Sequence, residues 1–311
     1  MNNRNDIRSL LRFRSTPEKV HDLLEDFEVI STDQHTALIP RYFHVRALSE
    51  NVMAAVIAAS YGLSSIDYAK KRYHKSEAID ESLEARSEKI QYIRAYVSAK
   101  KYISRMIHKF SHEEDLPPPS SGVFGASIVL ERLQYSFFCA HLLYSLGHRY
   151  EGHSVSRLIL EQIAWAHAAC RLETLEEVQN IVTTKTISNL KATQPIAGRL
   201  YGFLSQKTHI DYKSHIDFLH AENGKNAIRF TQNEFHEYAE VILYLADLYG
   251  IVWELSQYQY LTGLEAVMIH DGGYSIKEDR PFLKTIGEHL RNIEIAANQA
   301  NSADAESDAA D

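Results

Sequence analysis

The chain has 311 residues, 45% of them hydrophobic and 24% charged, with a formal net charge of −8. These are ordinary values for a globular protein, and the length suits one large domain or two smaller ones. The acidic balance argues against wholesale electrostatic wrapping of nucleic acid and leaves room only for a local basic patch.

No apolar run reaches the roughly 18–20 residues of a membrane span. The first residues, MNNRNDIRSLLRFR, lack the apolar core of a secretory signal. A cytoplasmic location without membrane attachment is expected. Cys139 and Cys170 fall in apolar runs and read as buried free thiols.

Taken in order, Thr16-Pro17-Glu18 has the form of a helix start. Residues 27–30 and 36–39 are short extended candidates. From Arg41 to Ala59 the apolar spacing is helical, and Gly62 ends it. A second helix starts near Ser64 or Ser65, and a long charged one covers 77–110. Leu116 to Phe124, rich in Pro, Ser and Gly, reads as a linker between an N-terminal helical subdomain (1–115) and a C-terminal bundle (125–300).

In the second part, helices are predicted at about 125–147, 153–172, 174–190, 195–209, 232–261 and 280–300. A polar connection covers 210–229. The acidic tail 301–311 reads as disordered. The expected fold is all-α, a bundle of about eight or nine helices. The stretch 153–172 is apolar nearly all round, which predicts a helix at the bundle's centre.

Chemistry is expected first on that helix. Arg157 and Glu161 are one turn apart, so guanidinium and carboxylate share a face. On 195–209, Gly198, Tyr201, Gly202, Ser205 and His209 share one side, small enough to let another helix approach. Docked together, the two faces form a composite site of Arg157, Glu161, Ser205 and His209. There Arg157 would hold an anion and His209 would move protons. Undocked, Arg157 and Glu161 are a structural pair.

The echo His209-Ile210-Asp211 and His215-Ile216-Asp217 reads as a polar connector. One Glu-x-x-His match, Glu18 to His21, falls short of a di-metal bundle. No Gly-x-Ser-x-Gly, phosphate loop or dinucleotide fingerprint occurs. No metal and no cofactor are expected.

Residues 57–68, Ile-Ala-Ala-Ser-Tyr-Gly-Leu-Ser-Ser-Ile-Asp-Tyr, resemble the helix-turn-helix pattern, with alanine, glycine and serine at its turn spacing. Lys70, Lys71, Arg72 and Lys75 follow, as a recognition helix offers cations to phosphates. The match departs at Ile66, where that family has a polar residue, and at Lys71, where it has an apolar one.

Arg157-x-x-x-Glu161 followed by Tyr201, Ser205 and His209 resembles a group of uncharacterised bacterial all-helical proteins, some of them linked to abortive infection and phage defence. The resemblance covers about 125–260. More distantly it is similar to HEPN-type ribonucleases, which carry an Arg and a His on one helix with four to six residues between them. Here Arg149 and His153 have three between them, and Arg157 and His167 have nine.

Two functions follow as expectations. One is a defence- or stress-associated protein whose bundle site cleaves RNA without metal. The other is a non-enzymatic regulatory protein that binds DNA, a protein partner or a second copy of itself.

Overall fold

The computed structural model describes residues 27–31, 36–40, 46–60, 62–73, 77–109, 116–209, 216, 218–222, 225–228, 234–271 and 273–308. Among these the all-α class is evident: ten helices and three two-stranded hairpins. No helix is long and apolar enough to cross a membrane. The chain divides into two compact units, residues 1–79 and 80–311.

The first unit opens with strands β1 (Phe27–Ser31) and β2 (Thr36–Pro40), antiparallel with Val29 opposite Leu38. The two short extended stretches thus pair with each other. Helix α1 (Arg46–Ser60) packs on this hairpin and on α2 (Ile66–Tyr73). Gly62 turns between them at φ 61°, a left-handed conformation that favours glycine. The Ser65 hydroxyl then accepts the Tyr68 N–H and caps α2. Ala54, Ala58 and Ala69 form the α1–α2 contact, and such small side chains let the helices approach closely.

The second unit contains nearly all of helix α3 (Glu77–Ile107), followed by α4 (Ser121–Ser145) and α5 (Arg149–Ala169). Short α6 (Leu175–Gln179), α7 (Thr183–Thr193) and α8 (Pro195–Thr208) come next. Then come hairpin β3–β4 (Leu219–Glu222, Lys225–Ile228) and α9 (Phe235–Gln257). Hairpin β5–β6 (Val267–His270, Gly273–Ile276) leads to α10 (Pro281–Asp308).

Several expectations change here. The division falls at 79/80, not at the Pro/Ser/Gly stretch 116–124. α3 buries Tyr92, Tyr96, Tyr102 and Met106 in the same core as α4 and α9, and Ser120 of the expected linker is simply the N-cap of α4. The single helix expected over 174–190 is two, α6, which the Thr174–Glu177 capping box starts, and α7, with residues 180–182 between them. β5–β6 went unread. The tail continues α10 to Asp308, since no Gly or Pro interrupts its alanine-rich run.

The centre of the bundle is α9, not 153–172. α9 buries 18 of its 23 residues, including Asp247 and Glu254. Its carboxylates are fully used. Asp247 accepts two hydrogen bonds from Arg280 at 2.7 and 2.6 Å. Glu254 accepts the backbone N–H groups of Glu265, Ala266 and Val267 at 2.6–3.0 Å, anchoring β5. α5 packs between α4, α7, α8 and α9, yet leaves Leu158 47% exposed.

The turn from α4 to α5 uses Gly147 at φ 77°, with the His148 N–H returning to the Leu143 carbonyl at 2.9 Å. Both thiols are free, as expected. Cys170 is half-buried and its thiol is pushed up to about 11 by burial. Cys139 is exposed, because its position on α4 faces away from the core.

Candidate functional site

Four residues of α5 at successive helical turns, Arg149, His153, Arg157 and Glu161, form one polar line along the helix. The line has two parts with different surroundings.

Arg157 and Glu161 pair as their spacing predicts, Nε to Oε1 at 3.0 Å. Helix α8 does dock on this face. Arg157 Nη2 donates to Tyr201 Oη at 3.2 Å, its guanidinium lies 5.2 Å from the Tyr201 ring centre, and Nη1 donates to Thr208 Oγ1 at 3.3 Å. Burial works against the guanidinium's charge, but the Glu161 and Tyr201 oxygens raise its pKa above the ordinary value. The pair is not the buried one expected: the side chains are 29% and 42% exposed.

The other two expected site residues do not join it. His209 is the exposed C-cap of α8, and its backbone N–H donates to the Ser205 carbonyl. Ser205 Oγ is buried without a hydrogen bond. Thr208, one residue earlier than His209, takes the place that was expected for the histidine. The glycines have a different role as well. Gly202 faces open space and the nearest atoms to a Cβ on Gly198 are those of the Lys191 side chain, so neither is placed against a helix backbone.

The second part is buried and was missed. Arg149 holds Glu237 through two hydrogen bonds of 2.8 Å, Nε to Oε1 and Nη2 to Oε2. His153 Nε2 lies 2.9 Å from the same Oε1. A carboxylate accepts, so Nε2 carries the proton and Nδ1 must accept. Tyr144 Oη fills that place at 2.9 Å and takes the Ser156 hydroxyl, also at 2.9 Å. The sequence Ser156, Tyr144, His153, Glu237, Arg149 is a complete chain in which every group is satisfied.

Burial raises the Tyr144 phenol well above its ordinary pKa and lowers that of His153. For Glu237, burial alone would raise the pKa, but the His153 and Arg149 bonds outweigh it and hold it at about 2. The chain is therefore neutral histidine beside an Arg–Glu ion pair. His153 and Ser156 are fully buried, so neither can touch a solute. This is a lock between α4, α5 and α9. Its one sequence signal was an acid, Glu237, in the first turn of a mainly apolar helix.

A third cluster joins α5, α7 and β6. Arg171 Nη2 donates to His167 Nε2 at 2.9 Å and to Tyr274 Oη at 2.6 Å, and Thr193 Oγ1 lies 3.1 Å from Nε2. Burial, helped by the Arg171 charge, lowers His167 to about 4. Among the described residues no group of His, Cys, Asp and Glu is arranged to hold a metal. Glu18, His21, Asp211, His215 and Asp217 lie outside them.

In the first unit, Lys71 is exposed on α2, roughly opposite Ala69, while Lys70 beside Ala69 is half-buried. Tyr68 is 46% and Ile66 42% exposed, and Asp67 occupies the first turn. Lys71 thus points to solvent where the helix-turn-helix family has a core residue. Arg72 lies on α2, while Lys75 falls outside the described residues.

Comparison with protein-family models, with curated proteins and with solved structures finds no match to this chain.

Proposed function

We propose that this chain is a bacterial cytoplasmic regulatory protein without catalytic activity, which binds duplex DNA through α2 and uses the larger helical unit as a scaffold. The observation that carries this is the division of charge. Residues 1–79 hold 11 Lys and Arg against 10 Asp and Glu, whereas residues 80–311 hold 22 against 31. A polyanion is repelled by the second unit and tolerated by the first. Within the first, exposed Lys71 and half-buried Lys70 stand on a capped helix that follows a glycine turn. Arg157, by contrast, spends three of its five N–H groups on Glu161, Tyr201 and Thr208, as a strut between helices does.

The test is retention on duplex DNA at low salt. Wild-type protein binds, binding weakens as salt rises, and Lys70→Ala with Lys71→Ala weakens it and lowers its salt dependence without changing the circular dichroism spectrum.

One observation favours a second function, the handling of a phosphodiester by a defence-associated protein. Arg157 is partly exposed and two of its N–H groups remain for an anion, with His209 one residue beyond Thr208. In that case Arg157 and Glu161 hold and position the phosphate, while a substrate reaching across Thr208 to exposed His209 finds its proton donor there and RNA is cut. RNA cleavage by the wild-type protein, lost in both Arg157→Ala and His209→Ala, would establish it and refute the first.

A further inference from the structure

Helix α4 carries an apolar line on the side away from the core. Phe124 is 58%, Ile128 52% and Tyr135 38% exposed, and exposed Cys139 continues it. At about 100° per residue these four positions fall within about 60° of arc, a straight stripe over four turns. Large apolar side chains so aligned mark a contact surface. Its two margins carry opposite charges, Glu131 on one side and Arg132 on the other, both exposed. Arg132 gives one hydrogen bond to Gln162 of α5, one of the five N–H groups of its guanidinium.

We propose that this stripe binds a second copy of the chain, with the two α4 helices side by side and parallel about a two-fold axis running along them. The charges choose both the occupant and the direction. A parallel two-fold pair sets each seam residue against its own copy and each margin against the opposite margin. Glu131 of each copy then faces Arg132 of the other, twice. An antiparallel pair sets each margin against itself, Glu131 on Glu131 and Arg132 on Arg132, and like charges repel. The parallel seam stacks Phe124, Ile128 and Tyr135 on their counterparts and brings the two Cys139 thiols together. Neither the DNA-binding function nor the Arg157 site enters into this inference.

The test is the mass of the full chain by analytical ultracentrifugation, with mild oxidation in parallel. The wild type is a dimer, and a Cys139-dependent disulfide links its chains. Glu131→Arg alone and Arg132→Glu alone each weaken the dimer about tenfold or more through like-charge contact, and the double variant restores it. Both positions are exposed, so the circular dichroism spectra stay unchanged. Ile128→Glu gives a folded monomer. A wild-type monomer at 100 µM, a dimer that resists Ile128→Glu, or single charge variants that the double does not rescue would each overturn the proposal. So would a dimer that Cys139 cannot link, since that places the stripe against something else or in the opposite direction.

Discussion

His153 Nε2 donates to Glu237 Oε1 across 2.9 Å, and the same carboxylate is clasped by Arg149, so one acid ties two turns of α5 to the start of α9. The single negative charge is already matched by Arg149. A second positive charge on His153 therefore finds no further counter-ion, and it cannot keep the Tyr144 hydroxyl as a donor to Nδ1.

Acid should thus weaken the fold above the usual carboxylate range. His153 and His167 both have lowered folded pKa values, His167 at about 4 against 6.5. A lowered folded pKa means that the unfolded chain binds protons first as the pH falls. Stability is complete above pH 6.5 and is lost progressively below it, with the His167 share spent by about pH 4. At about 1.4 kcal/mol per pKa unit, that share is on the order of 3 kcal/mol. Urea denaturation at steps from pH 7.5 to 4.5 measures it, and His167→Gln should flatten the lower part of the curve. An unfolding midpoint constant over this window contradicts the assignment.

Removing one partner of the Arg149–Glu237 pair should cost more than removing both. Glu237→Leu leaves a partly buried guanidinium without its acid, a loss of about 3 kcal/mol at most, since both side chains keep some exposure. Arg149→Leu combined with Glu237→Leu should lose less than the sum of the single changes. A double-mutant cycle on urea midpoints reads this coupling, and additive effects would show that the bonds contribute nothing.

Tyr249 is fully buried, and its hydroxyl has no hydrogen bond. Tyr249→Phe should be neutral or stabilise by up to about 1 kcal/mol, because an unsatisfied polar group is removed and the ring is kept. Thermal melts decide it, and a loss of 2 °C or more would mean that the hydroxyl has an acceptor.

Two helical glycines should respond oppositely to alanine. A Cβ on Gly122 would sit 2.0 Å from the Ala169 carbonyl oxygen and 2.4 Å from that of Leu172, both backbone atoms that cannot turn aside. Gly122→Ala should destabilise by about 1–3 kcal/mol. Gly202, on exposed α8, meets nothing within 4 Å, and Gly202→Ala should stabilise by about 0.5–1 kcal/mol through helix propensity. Denaturant midpoints compare the two directly.

Periodicity and punctuation made most of the helices legible. Pro195 begins α8, Gly62 ends the turn after α1, and Gly147 separates α4 from α5, each where its chemistry predicts. Periodicity alone did not rank the helices by depth. Residues 153–172 and 240–254 are both apolar, and α9 is the deeper because Asp247 and Glu254 find buried partners 11–33 residues away. Such long-range satisfaction leaves no local signal.

The candidate site divided in the same way. Arg157–Glu161, a pair within one helix, was readable, and so was the approach of Tyr201. His209 failed to reach the pair because α8 ends at Thr208, which turns the histidine outward. The Ser156–Tyr144–His153–Glu237 chain needs three helices to exist at all, and only His153 stood out beforehand.

In the proposed function α2 contacts DNA through Lys70 and Lys71. The most direct measurement is the salt dependence of the affinity of the full chain for a duplex, wild type against the Lys70→Ala, Lys71→Ala variant. Each phosphate contact contributes about 0.9 to the slope of log K against log salt, so the variant should lose about 2 from the wild-type slope, with binding weakened equally on every sequence. A wild-type protein that does not bind duplex DNA at low salt, or a variant with the same slope, would contradict the account.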